Sequence, residues 1–497
     1  MGKRQVVFIM TDSQGTNLVG CYGNRDIKTP NIDKLADEGM RFNRAYTVQP
    51  VCGPARSALF TGTYPHSNGS WSNCMPLGAN VKTIGQRLSD NGIHTAYIGK
   101  WHLDGGDYFG LGRCPDGWDK DYWYDMRCYL EELSSEDRKW SRTPAIMEKR
   151  EVEEDFTFGH RCSNRAIDFM SKYNEEDFFL VVSYDEPHGP FVCPAPFSSM
   201  YKGYEYPKHK NIWDDLRDKP EHQRVWAGGS LDGDKDKLKI QPAYYLGCNS
   251  YIDYEIGRVL DAVEKYAPDA LIIYTSDHGD MLFSHSLNGK GPVMYDEITN
   301  IPLIVKWRGM VEEGCVCEYP VSHINLVPTI METMKLPKSK AFEGGSILPT
   351  LMDKDVRCND AIFMEFGRYE VDHDGFGGFQ PARAVFDGRY KLVINLLTSD
   401  ELYDLEKDPG ELENLIDSKE YDEIRDRLHD RLLDWMNDTR DPFRGYYWER
   451  RPWRKDARPA TWDYTGMTRQ RKTDDEYEPR QLDYSTGLEI ENSVRKK

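Results

Sequence analysis

The sequence lacks the long hydrophobic runs of a membrane-spanning protein. Its 497 residues contain no stretch of about eighteen consecutive apolar residues, which is the length that a membrane-spanning helix needs. The apolar segment at residues 6–10 is too short for the core of a signal peptide, and the polar residues Thr11 and Asp12 follow it directly. The sequence therefore predicts a protein without a membrane partner, and we expect a cytoplasmic location.

A basic surface and a cysteine framework are also lacking. The chain carries 83 acidic and 64 basic residues, a formal net charge of −19, which argues against a nucleic-acid partner. Its eleven cysteines are an odd number and include no Cys-x-x-Cys pair, so neither a disulfide framework nor a zinc knuckle is predicted. Because an acidic protein repels anions at long range, any anion-binding site must be locally basic.

The chain does contain the alternation of strands and helices that is typical of an α/β protein. Apolar, β-branched runs alternate with segments of helical periodicity, which predicts a parallel sheet between helices. The predicted strands are residues 6–10, 95–98, 178–182, 271–274 and 302–305. The predicted helices include residues 31–38, 83–90, 250–265 and 325–334.

The sequence pattern changes after about residue 380. Residues 389–396 and 401–404 have strand patterns, Asp408-Pro409-Gly410 is a turn sequence, and residues 421–436 have helical periodicity. We therefore expect a catalytic domain at residues 1–380 and, at residues 381–497, a C-terminal domain with a small sheet and an extended tail.

Charged or imidazole side chains follow four of the five predicted strands. They are Asp12, Lys100 with His102, His188, and Asp277 with His278. In open α/β sheets, ligands bind outside the carboxyl ends of the strands. These residues, although distant in sequence, are therefore predicted to converge on one pocket.

One segment combines Cys52, Pro54 and Arg56 with Thr61-Gly62. Taken alone, Cys-x-Pro-x-Arg could be a buried thiol before a helix whose first turn holds the proline. Together with the downstream Thr-Gly, it resembles the hallmark of the type I sulfatases of the alkaline phosphatase superfamily. The resemblance extends from residue 6 to about residue 415. It implies a large mixed, mostly parallel sheet sandwiched by helices, with a smaller C-terminal α+β domain.

In that family the cysteine is oxidised after translation to formylglycine, which implies a maturing enzyme as a partner. A thiol attacking sulfur would give a stable thiosulfonate, whereas a hydrated aldehyde offers two hydroxyls on one carbon. One hydroxyl attacks sulfur, and deprotonation of the other then expels sulfate and restores the aldehyde. Neither hydroxyl is nucleophilic unaided, so a metal and nearby cations are needed. Arg56, one helical turn beyond Cys52, is placed to hold the hydrated aldehyde.

The resemblance also implies one divalent metal. Family members carry an Asp-Asp pair after the first strand and an Asp-Asn or Asp-His pair after a later one. Here the first pair is Asp12-Ser13, followed by Gln14, so one carboxylate is lost. The implied ligands are Asp12, Ser13, Cys52 as formylglycine, Asp277 and His278. Ca²⁺ is the metal that the resemblance implies. Mg²⁺ is an alternative because it too prefers hard oxygen donors, and Mn²⁺ is another because an imidazole suits transition ions better than an amide does.

Four further residues match catalytic positions of the family. Lys100 and Lys290 would bind the sulfate, and His102 would take a proton from the second hydroxyl. His188 would protonate the leaving-group oxygen, since histidine titrates near neutrality. For any one of them alone, a satisfied core histidine or a solvated lysine is the commoner situation.

Selectivity residues are predicted in two places. A glycine-rich segment could hold sugar hydroxyls through Arg368, His373 and Asp374, or could be a connector. Aromatic residues between the second and third predicted strands could stack on a sugar or form a packed core. They are Trp118, Trp123, Tyr124 and Trp140.

We therefore expect the substrate to be a small sulfated mono- or oligosaccharide. Two alternatives remain open: a phosphonate monoester or phosphodiester hydrolase of the same superfamily, and a non-catalytic sulfated-glycan binder.

Overall fold

The computed structural model describes residues 3–105, 108–236, 238, 243–370 and 378–455. Within these residues a seven-stranded sheet has the order β4-β5-β1-β6-β7-β2-β8. The strands β4, β5, β1 and β6 are parallel neighbours, whereas β7 is antiparallel to both β6 and β2. The bounds are β1 Gln5–Thr11, β2 Met40–Phe42, β4 His94–Gly99, β5 Phe178–Ser183, β6 Leu271–Ser276, β7 Leu303–Lys306 and β8 Cys315–Cys317. Strands β3 (Ala45–Tyr46) and β9 (Val321–Ser322) form a separate parallel pair.

All five predicted strands of this part of the chain and three of its four predicted helices are confirmed within two residues, whereas the helix predicted at residues 250–265 begins seven residues earlier, at Ala243. The helices are α1 Pro30–Asp37, α2 Cys52–Thr61, α3 Pro65–Asn68, α4 Ile84–Ser89, α5 Met126–Glu132, α6 Ser135–Trp140, α7 Ile146–Lys149, α8 Phe158–Tyr173, α9 Phe197–Met200, α10 Glu221–Ala227, α11 Ala243–Tyr266, α12 Asp296–Thr299, α13 Leu326–Thr333, α14 Leu348–Met352, α15 Asp422–Asp438 and α16 Tyr446–Glu449. None of the helices in the described part of the chain is long and apolar enough to cross a membrane.

Both faces of the large sheet are buried, which explains why β1 is apolar at every position from Val6 to Met10. Val6, Phe8 and Met10 point into one core, together with residues of α2, α4 and α13. Val7 and Ile9 point into the other core, together with residues of α1, α8 and α11. A sheet covered on both faces is the expected environment of such strands.

The C-terminal sheet is antiparallel and has the order β10-β11-β12-β13. Its strands are β10 Ile362–Phe366, β11 Ala382–Phe386, β12 Tyr390–Asn395 and β13 Glu401–Asp404, and α15 packs on β11 and β12. The fold class is therefore the predicted one, with helices around a mixed sheet and a smaller α+β unit. Strand β10 precedes residue 381, so the sheet begins before the predicted domain boundary. The division at residue 380 stays a prediction.

The aromatic residues between β4 and β5 mostly form a core. Trp118 and Trp123 are 6 % and 8 % exposed and pack against Phe60, Tyr97 and Trp101. These two indoles are therefore not available to stack on a sugar, and the packed-core alternative is correct for them.

Gly99 ends β4 and has no space for a side chain. Its φ is +121°, and a Cβ atom there would lie 1.8 Å from the carbonyl oxygen of Ser183 on β5. We expect Gly99→Ala to lower the free energy of unfolding by about 3 kcal/mol or more, because backbone strain and a backbone clash add up. Chemical denaturation measures this change.

Gly92→Ala is the matched control. Gly92 also has a positive φ, +75°, but a Cβ atom there would meet no atom of the described residues within 4 Å. Its substitution should cost only about 1 kcal/mol from backbone strain. Equal losses in the two variants would contradict the close approach of β4 and β5.

Candidate active site

The charged residues that follow the strands meet at one edge of the large sheet. Asp12 follows β1, Lys100 follows β4, Asp185 follows β5 and Asp277 follows β6. These four strands are adjacent and parallel, so their carboxyl ends lie side by side. Lys100 Nζ lies 2.9 Å from a carboxylate oxygen of Asp12 and 2.9 Å from one of Asp185. The predicted convergence is therefore observed.

Cys52 begins helix α2 and is buried at the centre of this edge. Its Sγ atom lies 2.6 Å from Lys290 Nζ and 3.2 Å from His278 Nε2. Burial and the charge of Asp12 raise the pKa of the thiol, but Lys290, Lys100 and His278 lower it to about 5. The surroundings of residue 52 therefore stabilise negative charge.

Two short contacts hold the beginning of α2. The N–H of Gly53 donates a hydrogen bond to Asn73 Oδ1 at 2.9 Å, and the N–H of Asn73 donates to the carbonyl oxygen of Tyr369 at 3.0 Å. Asn73 thus connects residue 52 to the C-terminal part of the chain. The sequence analysis missed Asn73, because nothing in the local sequence distinguishes it from a turn residue.

Arg56 lies between the two carboxylates of the site. Its Nη2 is 3.0 Å from Asp12 and its Nε is 3.1 Å from Asp277, and all three side chains are fully buried. The same guanidinium donates hydrogen bonds to the carbonyl oxygen of Lys100 and to Ser183 Oγ, both at 2.7 Å. Arg56 thus positions the carboxylates directly, and it acts on residue 52 through them.

Four side chains could hold a metal ion. One ligand atom each from Asp12, Cys52, Asp277 and His278 lies within 4.8 Å of the others. His278 Nδ1 lies 2.8 Å from the carbonyl oxygen of Gly279, which can only accept a hydrogen bond. The neutral ring therefore carries its proton on Nδ1, and its lone pair on Nε2 faces the cluster. Two carboxylates and one imidazole lone pair fit a divalent cation.

The residues that follow Asp12 have different surroundings. The Ser13 hydroxyl donates to Asp12 Oδ1 at 2.9 Å, and its N–H donates to Asp277 Oδ1 at 3.1 Å, so Ser13 lies beside both carboxylates. The Gln14 side chain points into the protein. Its Nε2 donates a hydrogen bond to Asn249 Oδ1 at 2.6 Å, and its Oε1 accepts one from the Thr11 hydroxyl at 3.0 Å. Ser13 is thus available to the metal site, whereas Gln14 is engaged elsewhere.

The two carboxylates differ in their electrostatics. Burial raises the pKa of both, but Lys100, His188 and Lys290 hold that of Asp12 well below its usual range. For Asp277, burial and the charge of Asp12 prevail and raise the pKa to about 6. A metal that binds here below that pH must displace a proton from Asp277.

The two histidines lie on the side of Lys100. Burial, together with the charges of Lys100 and Arg56, lowers the pKa of His102 to about 3. His102 Nδ1 is buried without a hydrogen-bond partner among the described residues. Burial and Lys100 lower the pKa of His188 to about 4, and its Nδ1 lies 2.9 Å from the carbonyl oxygen of Gly189. Both rings are neutral at pH 7 and can exchange protons with a ligand.

A cavity of about 280 Å³ opens beside these groups. Its lining includes Ser13, Pro187, His188, Gly189, Phe191, Tyr245, Asp280, Asn288, Gly289, Lys290 and Tyr369. Among the described residues, Tyr369 rather than the predicted Arg368 lines it. The predicted residues His373 and Asp374 lie outside the described residues. Phe191, Tyr245 and Tyr369 were missed, because an aromatic residue in a sequence is more often part of a core.

Comparison with known proteins places these features in a family. Residues 4–336 match the model of the sulfatase family, and residues 285–438 match that of the N-sulphoglucosamine sulphohydrolase C-terminal region. The uncharacterized sulfatase YidJ of Escherichia coli is 46 % identical, over 98 % of this chain and 97 % of its own. The N-acetylglucosamine-6-O-sulfatase of Bacteroides thetaiotaomicron is 25 % identical, over 84 % of this chain and 83 % of its own. The phosphonate monoester hydrolase of Agrobacterium radiobacter has a TM-score of 0.75 at 22 % identity, over 88 % of this chain and 96 % of its own.

The raised pKa of Asp277 predicts how metal affinity depends on pH. Although burial lowers the pKa of His278, Asp277 outweighs burial and raises it, so the imidazolium proton competes with a metal at somewhat higher pH. As the pH falls through about 6, a proton competes for the Asp277 carboxylate as well, and the affinity falls further. Isothermal titration of the metal-free protein with Ca²⁺ and Mn²⁺ across this range measures the effect. The Asp277→Asn variant should lose most of its affinity for the metal, and the affinity that remains should not show the fall near pH 6. An affinity of the native protein that stays constant through pH 6 would contradict the prediction.

Proposed function

The chain belongs to the sulfatase family, whose members are sulfuric ester hydrolases, and from this premise we propose that it hydrolyses the sulfate ester of a small sulfated saccharide with formylglycine at position 52 and one divalent metal. The observation that carries the proposal is the environment of Cys52. Lys290, Lys100 and Arg56 lie around it at the end of an acidic protein's central sheet. Such a local concentration of cations suits an anionic ester.

Asp12, Asp277 and His278, with Ser13 beside them, would hold the metal. When bound, the metal would polarise the sulfate and lower the pKa of the hydroxyl at position 52. By resemblance the ion is Ca²⁺. The imidazole nitrogen of His278 and the missing carboxylate at Ser13 make Mn²⁺ and Mg²⁺ competitors, and metal analysis of the purified protein distinguishes the three.

The remaining side chains have separate proposed tasks. Lys100 and Lys290 bind the sulfate oxygens, and Arg56 keeps Asp12 and Asp277 ionised. His188 protonates the leaving-group oxygen, because a bound sulfate brings negative charge beside the ring and favours the imidazolium form. His102, which is neutral at pH 7, accepts the proton of the second hydroxyl at position 52 when sulfate is released.

The cavity supports a small substrate. Its volume of about 280 Å³ lies just below the roughly 300–1,000 Å³ that small-molecule pockets have, which favours a substrate of about one ring with its sulfate group. Phe191, Tyr245 and Tyr369 offer aromatic faces to such a ring. The match of residues 285–438 to the N-sulphoglucosamine sulphohydrolase model is a second reason to favour a sugar. Arg368, His373 and Asp374 remain candidates for its hydroxyl groups.

One specific observation favours a second candidate function. By the family resemblance, Ser13 stands where sulfatases carry a carboxylate, so the metal site departs from the family pattern and carries less negative charge. A phosphonate monoester hydrolase is also among the similar structures. The alternative is therefore hydrolysis of a phosphonate monoester or a phosphodiester at the same residues.

Turnover of matched aryl esters tests the proposal. We expect 4-nitrophenyl sulfate to be hydrolysed with a higher kcat/KM than 4-nitrophenyl phenylphosphonate or bis(4-nitrophenyl) phosphate. A diester that is cleaved far faster than the sulfate would favour the second function. Tight binding of sulfated glycans without hydrolysis of any of these esters would instead indicate a non-catalytic binder.

Cys52→Ala is the control for the nucleophile in the same experiment. The substitution removes the side chain that is modified but little core volume, so the protein should unfold at a similar temperature while turnover falls to background. Mass spectrometry of the peptide that spans residues 50–63 shows whether the native protein carries the aldehyde. Hydrolysis by the alanine variant at the native rate would refute the mechanism.

The proposed role of His188 predicts a dependence on the leaving group. His188→Ala should lower kcat/KM for a sulfated sugar about 10²-fold or more, and much less for 4-nitrophenyl sulfate, because a nitrophenolate leaves without being protonated. Steady-state kinetics with both substrates measures the difference. Equal losses on the two substrates would remove His188 from the acid role.

A further inference from the structure

Tyr108 lies beside three of the proposed catalytic groups, although it belongs to no motif of the sequence. Its ring centroid is 5.1 Å from Lys100 Nζ, 6.4 Å from the ring of His102 and 5.8 Å from the ring of His188. One side chain thus contacts the proposed anion-binding lysine, the proposed base and the proposed acid. It comes from the segment that follows β4, where Trp118 and Trp123 form a core instead.

Two further residues hold the Tyr108 ring in place. Arg142 donates a hydrogen bond to the Tyr108 hydroxyl, and its guanidinium lies 5.2 Å from the centre of the ring. The ring of Phe109 packs on Tyr108 with a centroid separation of 4.3 Å, and Arg142 lies 5.1 Å from Phe109 as well. These contacts restrict the ring to the place where it faces Lys100.

The Lys100 ammonium group needs an uncharged neighbour such as this aromatic ring. Its side chain is fully buried and pairs with Asp12 and Asp185, both of which pull the ammonium toward the protein. An ammonium group with no contact on its remaining side would draw water into the site. An aromatic face satisfies a cation without offering it a competing anion, so the ammonium can still turn a proton toward a bound sulfate.

We propose that Tyr108 is a positioning residue of the active centre, whose ring holds the Lys100 ammonium in its anion-binding orientation and excludes water from the space between His102 and His188. This inference rests on the proposed role of Lys100 in sulfate binding. It adds Tyr108 to Lys100 and His102, which precede it in the same segment between β4 and β5.

Binding of inorganic sulfate to the full-length, metal-loaded protein tests the inference without requiring turnover. Tyr108→Phe keeps the ring and loses the bond from Arg142, whereas Tyr108→Leu keeps apolar bulk and loses the aromatic face. We expect the Kd for sulfate, measured by isothermal titration, to rise about tenfold in Tyr108→Leu and no more than about twofold in Tyr108→Phe. The KM for 4-nitrophenyl sulfate should follow the same order.

A purely structural role predicts a different pattern. It would lower the unfolding temperature and weaken metal binding along with sulfate binding, so metal affinity and thermal unfolding are measured on each variant. Tyr108→Met is made in parallel as a second variant without an aromatic ring, because the flexible methionine side chain can fill an irregular gap that leucine does not. Tyr447→Leu, which removes a tyrosine that is 70 % exposed at the surface, controls for the loss of a tyrosine as such.

The outcomes separate this inference from the proposed function. If the native protein binds and cleaves sulfate esters but Tyr108→Leu and Tyr108→Met bind sulfate as tightly as Tyr108→Phe, the inference is overturned and the function stands. If the native protein neither binds sulfate nor cleaves a sulfate ester, the proposed function fails, and the same titration with inorganic phosphate tests Tyr108, since Lys100 would hold either anion.

Discussion

Arg56 lies with no exposed atom between Asp12 and Asp277, 3.0 Å from one carboxylate and 3.1 Å from the other. Removing one member of such a buried pair leaves an unpaired charge, at a cost of about 3–5 kcal/mol. The two aspartates end adjacent strands, and Arg56 reaches them from the helix that begins at Cys52. The pairing therefore fixes the distance between the sheet edge and the residue that is proposed to be modified. The other contacts around residue 52 depend on that distance.

The charges of the site are nearly balanced before any ligand binds. The carboxylates of Asp12, Asp185 and Asp277 face the cations of Arg56, Lys100 and Lys290. A divalent metal would leave an excess of positive charge, which an anionic ester could neutralise. Binding of a metal before the ester would therefore explain how a chain with a net charge of −19 can offer a site for an anion. Ser13 stands where the family resemblance implies a second aspartate. The site therefore carries one negative charge less than that pattern, which further favours the binding of an anion.

The segment between β4 and β5 divides its aromatic residues between two tasks. Trp118 and Trp123 complete the hydrophobic core on one face of the sheet. Tyr108 instead turns toward Lys100 and the two histidines, because Arg142 and Phe109 hold it there. Residues of the same type in one segment thus have different roles, and only their packing partners distinguish them.

The sequence by itself determined the four adjacent parallel strands of the large sheet, several of the helices and the residues that gather at the sheet edge. Apolar β-branched runs form strands wherever both faces can be buried, and the polar residues after them must then lie at a common edge. The tertiary structure decided the rest: the task of Arg56, the inward direction of Gln14, the pKa of Asp277 and the positions of Asn73, Tyr108 and Tyr369. Each of these depends on contacts between residues far apart in the chain, whose distances no local pattern encodes.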